Sequence, residues 1–84
     1  MNIEKEVKDI ILSILNVEKL PYELTCISKL SEIGLDSIKL IEMIINLENK
    51  FEITFEDEEL DIDIINNYRK IIEIIRSKYN SKVK

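Results

Sequence analysis

The 84-residue sequence lacks histidine, tryptophan and alanine, and it contains one glycine, one proline and one cysteine. Without histidine, the chain has neither the most common general base nor the usual nitrogen ligand of zinc sites. The lone Cys26 has no partner for an intramolecular disulfide, and the first residues lack the apolar run of a signal peptide. No stretch reaches the roughly 18 apolar residues of a membrane span. We therefore expect a cytoplasmic protein without a membrane span.

Acidic and basic side chains are unevenly distributed along the chain. Residues 36–63 carry ten acidic and two basic side chains, whereas residues 64–84 carry one acidic and six basic side chains. An acidic segment repels nucleic acid and anionic membranes, and it attracts basic protein surfaces. The basic side chains suit the end of a C-terminal helix, where the dipole favours positive charge. We expect a monomer that binds basic protein partners and no nucleic acid.

The spacing of the apolar residues predicts helices, because few glycine or proline residues interrupt it. An apolar stripe with a period of 3.6 predicts an amphipathic first helix over residues 2–16. A second helix is predicted over residues 37–51 with Asp36 as its N-cap. A short acidic helix or turn follows at 56–65, and Asn66 or Asn67 caps a last helix. The predicted fold is all-α, a single domain over residues 1–84 in which three longer helices and one short helix form a four-helix bundle.

Residues 17–36 show no sustained period and predict a long loop. A loop of this length in a small domain usually packs through its own apolar residues or carries function. Leu24, Leu30 and Ile33 are the expected anchors to the core. Gly34 supplies a flexible backbone position just before the second helix. Cys26, also in this loop, is predicted to be a small buried hydrophobe rather than a reactive thiol.

The second helix carries two separate sets of apolar residues. The set predicted to face the core comprises Leu40, Met43, Ile44, Leu47 and Phe51. A second set, which we call the isoleucine strip, has the spacing i, i+3, i+7 and consists of Ile38, Ile41 and Ile45. Either the first helix or the long loop covers this strip, or part of it stays exposed beside Ser37. An exposed strip flanked by the acidic Glu42 and Glu48 would suit transient docking of basic enzymes.

The sequence Gly34-Leu35-Asp36-Ser37 gains its meaning from its context. An isolated Asp-Ser pair at a helix start is ordinary capping chemistry. Here it is preceded by Leu30-Ser-Glu-Ile33 and followed by Leu47-Glu48 and Phe51. The whole region resembles the phosphopantetheine attachment region of the acyl and peptidyl carrier protein family. The resemblance extends over nearly the entire chain in the family's order of elements.

This resemblance implies a function for the start of the second helix. It implies that a phosphopantetheinyl transferase moves 4'-phosphopantetheine from coenzyme A onto the Ser37 hydroxyl as a phosphodiester. Asp36 would aid recognition by the transferase, through the magnesium of that enzyme. The chain would then be a non-catalytic carrier that holds acyl or aminoacyl cargo as a thioester and delivers it to loading and synthase enzymes with basic docking surfaces. The same resemblance implies that the second helix faces the partner enzymes and presents to them Ile38, Ile41, Glu42 and Glu48.

Two departures from the family pattern bear on the pathway. Lys39 follows Asp-Ser-Ile where primary fatty-acid carriers usually have an acidic or neutral polar residue. Phe55 stands where many of those carriers have proline. These departures favour a carrier of secondary metabolism, of the polyketide or nonribosomal peptide type, with fatty-acid synthesis as the alternative.

Two other functions compete with a carrier. A helical protein-interaction module without a prosthetic group would explain the bundle and the acidic surface, with Asp36 and Ser37 acting only as a cap. A calcium site is suggested by the acidic residues between Asp57 and Asp63. An EF-hand, however, needs glycine at its sixth position and glutamate at its twelfth, and neither is in register. We therefore expect no specific metal site.

Overall fold

The computed structural model describes residues 2–20, 23 and 29–82. Its elements, in chain order, are α1 (Ile3–Leu15), a first 3₁₀ turn (Leu30–Ile33), α2 (Ser37–Phe51), a second 3₁₀ turn (Asp57–Leu60), α3 (Ile62–Ile65) and α4 (Tyr68–Lys82). Within these described ranges there is no strand, so the prediction of an all-α bundle with three long helices and a short one is confirmed. Leu24, predicted as a core anchor, and Cys26, predicted as a buried hydrophobe, lie outside the described residues.

Local capping sets the ends of the helices. Asn2 begins α1 because its side-chain oxygen accepts a hydrogen bond of 3.1 Å from the backbone N–H of Lys5. Asn16 ends this helix in the left-handed conformation, with φ of 57°. At α4, the side chain of Asn67 accepts from the N–H of Lys70 at 3.1 Å. Of the two asparagines that the sequence offered as the cap of the last helix, Asn67 is therefore the one that caps it.

One apolar face of each long helix contributes to a single core. The face of α2 buries the predicted set without exception, since Leu40, Met43, Ile44, Leu47 and Phe51 are all buried. From α4 the core receives Tyr68, Ile71, Ile72 and Ile75. The partly buried ring of Tyr79 packs edge-on against Phe51, with ring centroids 5.6 Å apart. The 3.6-residue period therefore identified the buried face of α2 correctly although isoleucine has only a modest helix propensity.

The two connecting regions contain more structure than the sequence predicted. Residues 30–33 of the long loop form a 3₁₀ turn in which the expected anchor Leu30 is fully buried and Ile33 partly so. The predicted acidic helix or turn at 56–65 is divided at Asp61, whose backbone is extended with ψ of 135°. The side chain of Asp61 accepts a hydrogen bond from the N–H of Asp63, so this residue leaves the helical conformation in order to cap α3.

No helix in the described part of the chain is both long enough and apolar enough to cross a membrane.

Candidate functional site

Ser37 reaches the surface at the first position of α2. It is the last residue of a stretch, residues 30–37, that we call segment 30–37. The first 3₁₀ turn ends at Gly34, whose φ of 108° is a conformation that favours glycine. Leu30 and Leu35 are fully buried, whereas Asp36 and Ser37 are exposed. Two buried leucines thus anchor the backbone, and the hydroxyl that follows them remains accessible.

Asp36 caps α2, as the sequence predicted. Its Oδ1 accepts a hydrogen bond of 2.9 Å from the backbone N–H of Lys39, and its carbonyl oxygen accepts one of 2.8 Å from Leu40. The first N–H groups of a helix have no intrahelical acceptor, and the helix dipole is positive at this end. Both effects favour a phosphate group on Ser37, so the chemistry of this position fits the phosphodiester that the resemblance implied.

The isoleucine strip is exposed. The exposed fractions of Ile38, Ile41 and Ile45 are 77%, 56% and 53%. Neither α1 nor the described part of the long loop (residues 17–20, 23 and 29–36) buries the strip. An apolar strip that begins next to Ser37 is therefore available at the surface, and its role in docking stays a prediction.

A cleft lies between α2 and α3. Its volume is about 300 Å³, and it is lined by Ile41, Ile44, Ile45, Glu48, Leu60, Ile62 and Ile65. The far wall, where Leu60 and Ile62 are partly exposed, was not predicted from the sequence. The available signal was the presence of these two apolar residues among the acidic side chains of residues 56–63.

The two acidic residues predicted to flank the strip have different surroundings. Glu42 is exposed, and its backbone carbonyl accepts a 2.9 Å hydrogen bond from the Asn46 side chain. Glu48 is half-buried, and its Oε2 accepts a hydrogen bond of 2.9 Å from the backbone N–H of Phe55. Glu48 therefore stabilises the connection after α2. The docking role of both residues stays a prediction.

Glu59, in the acidic second 3₁₀ turn, forms an ion pair with α4. Glu59 accepts from the backbone N–H of Glu56 at 2.7 Å and lies 2.9 Å from the Lys78 ammonium. Burial alone would raise the pKa of Glu59, but the hydrogen bond from Glu56 and the charge of Lys78 outweigh it and hold the pKa below its ordinary value. Among the described residues, no three acidic or cysteine side chains converge to hold a metal ion.

Comparisons with known proteins agree with the resemblance. The chain matches the family described as "Phosphopantetheine attachment site" over residues 5–76. It is 36% identical over 77 residues to an acyl carrier protein of Buchnera aphidicola subsp. Schizaphis graminum, and this alignment covers 92% of the chain and 94% of that protein. It is 35% identical over 79 residues to the acyl carrier protein of Buchnera aphidicola subsp. Acyrthosiphon pisum (strain 5A), with 92% of each covered. A shorter match of 30 residues, 47% identical, joins 36% of the chain to 38% of an Exiguobacterium acyl carrier protein. No solved structure gives a significant match.

Proposed function

We propose that Ser37 bears the 4'-phosphopantetheine arm, because the chain belongs to the family of proteins with a phosphopantetheine attachment site. The observation that carries this proposal is the exposed hydroxyl of Ser37 at the start of α2, within the matched residues 5–76. When bound, the arm supplies a thiol that forms a thioester with the cargo. The protein is a non-catalytic carrier, and we propose that it acts as a single-domain monomer in the cytoplasm.

The chain's own residues present the hydroxyl rather than activate it. Leu30 and Leu35 fix the backbone through burial, and Asp36 orients the first turn of α2 through its cap. The lack of histidine is compatible with this division of work, because the transferase supplies the base. In the transfer, a bond forms between the Ser37 oxygen and the phosphorus next to pantetheine, while the pyrophosphate bond of coenzyme A breaks. The hydroxyl proton passes to the transferase, and adenosine bisphosphate leaves.

The cargo proposed is an acyl group. The relatives that cover most of the chain are called acyl carrier proteins, and this name supports an acyl over an aminoacyl cargo. The expected preference for secondary metabolism receives no support from these relatives, whereas its alternative, fatty-acid synthesis, is compatible with them. One of the two departures also has a local explanation. The N–H of Phe55 donates to Glu48, and proline at this position would have no N–H to donate.

The docking surface proposed for partner enzymes is the isoleucine strip together with Glu42. Apolar contacts would supply affinity, and the acidic charge would increase the association rate with basic enzymes such as the transferase and acyl-loading enzymes. We expect the Glu42→Lys variant to raise the KM of the transferase for the carrier at low salt. Glu73→Lys, at an exposed position of α4, is the matched control, since it makes the same change of charge away from the strip. Equal KM values for the two variants would argue against a docking role of Glu42.

Intact mass after modification tests the carrier function. The apo protein is incubated with coenzyme A, magnesium and a broad-specificity phosphopantetheinyl transferase, beside Ser37→Ala and the exposed control Ser13→Ala. We expect one added phosphopantetheinyl group on the wild type and on Ser13→Ala, and none on Ser37→Ala. A folded wild type that gains no mass with several transferases would favour the helical interaction module.

The cargo is tested on the modified protein. One sample receives a fatty acid, ATP and an enzyme that loads carriers through acyl adenylates, and a second receives amino acids, ATP and an aminoacyl-adenylating enzyme. The proposal predicts a thioester in the first sample and none in the second. Loading only with amino acids would overturn the assignment of an acyl cargo and leave the carrier function intact.

A further inference from the structure

Asn66, at the end of α3, forms three hydrogen bonds with segment 30–37. Its Oδ1 accepts from the backbone N–H of Ser31 at 2.7 Å, and its Nδ2 donates to the Ser31 hydroxyl at 3.2 Å. Its carbonyl oxygen accepts from the N–H of Leu30 at 2.8 Å. Ser31 and Asn66 are 35 residues apart in sequence. We call these three bonds the Asn66 clamp.

The clamp joins two parts of the candidate site. At one end, Asn66 directly follows the buried Ile65, which belongs to the α3 wall of the cleft. At the other end, the first 3₁₀ turn leads through Gly34 and the buried Leu35 to Ser37. Among the described residues, the hydrogen bonds that reach positions 30–35 from another element all come from Asn66. In the described part of the chain, the position of the segment relative to α3 therefore rests on Asn66, through its side chain and its carbonyl, and on the burial of Leu30 and Leu35.

From this geometry we infer that Asn66 is a positioning residue for Ser37. The clamp holds segment 30–37 in the one arrangement that presents Ser37 to the transferase. The inference rests on the proposed function of Ser37, because the readout is the modification of that residue. It extends that function to a residue on α3 that does not contact the hydroxyl.

A loss of the clamp changes binding rather than the chemical step. Without the two side-chain bonds, segment 30–37 populates further conformations, and only a fraction of the molecules present Ser37 correctly. The apparent affinity of a partner falls in proportion to that fraction. The transferase should therefore show a higher KM for the carrier with kcat unchanged. We expect KM to rise about fivefold, which corresponds to the net value of one or two hydrogen bonds.

Three variants separate positioning from general stability. Asn66→Ala removes both side-chain bonds and keeps the backbone bond to Leu30. Asn66→Asp is the conservative variant, because its carboxylate accepts from both the N–H and the hydroxyl of Ser31. Ile11→Val on α1 is the control for destabilisation, since it deletes one buried methylene in the core and leaves the clamp intact.

The experiment measures kcat and KM of a phosphopantetheinyl transferase for the wild type and the variants at a temperature where circular dichroism shows all to be folded. Hydrogen exchange of the Leu35 amide, which donates to the Leu30 carbonyl at 3.3 Å, is followed in parallel. The inference predicts a raised KM and faster exchange for Asn66→Ala, with near wild-type values for Asn66→Asp and Ile11→Val. A wild-type KM for Asn66→Ala would overturn it, as would an equal rise for Ile11→Val. If the wild type itself is not modified, the proposed function fails instead.

Discussion

Two neighbouring isoleucines of α2 provide a sharp test of the division between core and docking surface. Ile44 is 4% exposed and belongs to the core, whereas Ile45 is 53% exposed and belongs to the isoleucine strip. We compare Ile44→Ala with Ile45→Ala. The two substitutions are chemically identical and occur in the same helix, so a difference in their effect reports the different surroundings of the two side chains.

The expected magnitudes follow from burial. Truncation of a fully buried isoleucine to alanine costs about 2–5 kcal/mol of unfolding free energy, because transfer and cavity effects add. Full burial of such a side chain contributes roughly 1.5–3 kcal/mol, so the half-buried Ile45 contributes about 1 kcal/mol. Alanine recovers a few tenths of this through its higher helix propensity. We therefore expect a loss of at least about 2 kcal/mol for Ile44→Ala and about 0.5 kcal/mol for Ile45→Ala.

Thermal unfolding followed by circular dichroism measures these losses. In a domain of this size, 1 kcal/mol shifts the Tm by about 4–8 °C, so Ile44→Ala should lower it by at least about 8 °C and Ile45→Ala by about 2–4 °C. In the same samples, Ile45→Ala should reduce kcat/KM for an acyl-loading enzyme while the protein stays folded. Equal losses of stability, or a larger loss for Ile45→Ala, would refute the assignment of the two faces.

Three further predictions concern local features. Glu59→Gln should lower the unfolding free energy at neutral pH. Because the pKa of Glu59 is depressed in the folded state, the contribution of this carboxylate is present above its unfolded pKa of about 4.3 and disappears as the pH falls through its folded pKa. Urea unfolding at several pH values would contradict this if the difference from wild type grew on acidification. Glu52, at φ of 54°, occupies the left-handed region, so Glu52→Gly should raise the unfolding free energy by about 0.5–1 kcal/mol, and an unchanged urea midpoint would count against it. Gly34→Ala should cost at least about 1–2 kcal/mol in the same assay, since φ is 108° and the new Cβ would lie 3.3 Å from Leu15 Cδ2; a neutral effect would show that the strain is relieved elsewhere.

The helices could be predicted from sequence because their signals are local. The apolar period specified the buried face of α2, and the capping side chain of Asp36 marked the start of this helix. The prediction of Ser37 as the attachment residue rests on the Gly-Leu-Asp-Ser context, which needs no tertiary information. The choice between Asn66 and Asn67 as cap required coordinates, because both offer the same side chain and only hydrogen-bond partners distinguish them.

Features that depend on contacts between distant residues were not predicted. The half-buried position of Glu48 follows from its bond to Phe55 across the end of α2, which no periodicity indicates. Leu60 and Ile62 become a cleft wall only when α3 packs beside α2. The Asn66 clamp joins positions 35 residues apart, and such pairing cannot be inferred from one sequence.

The position of the phosphopantetheinyl group in the modified protein decides whether Ser37 is the attachment residue. Trypsin cleaves after Lys29 and Lys39, and the resulting peptide of residues 30–39 contains two serines, Ser31 and Ser37. Fragmentation of this peptide from the modified protein identifies which hydroxyl carries the phosphopantetheinyl group. We expect the group on Ser37, with Ser31 unmodified because its backbone and hydroxyl are engaged by Asn66. Modification of Ser31, or of a serine in another peptide, would contradict the assignment of Ser37 as the attachment residue.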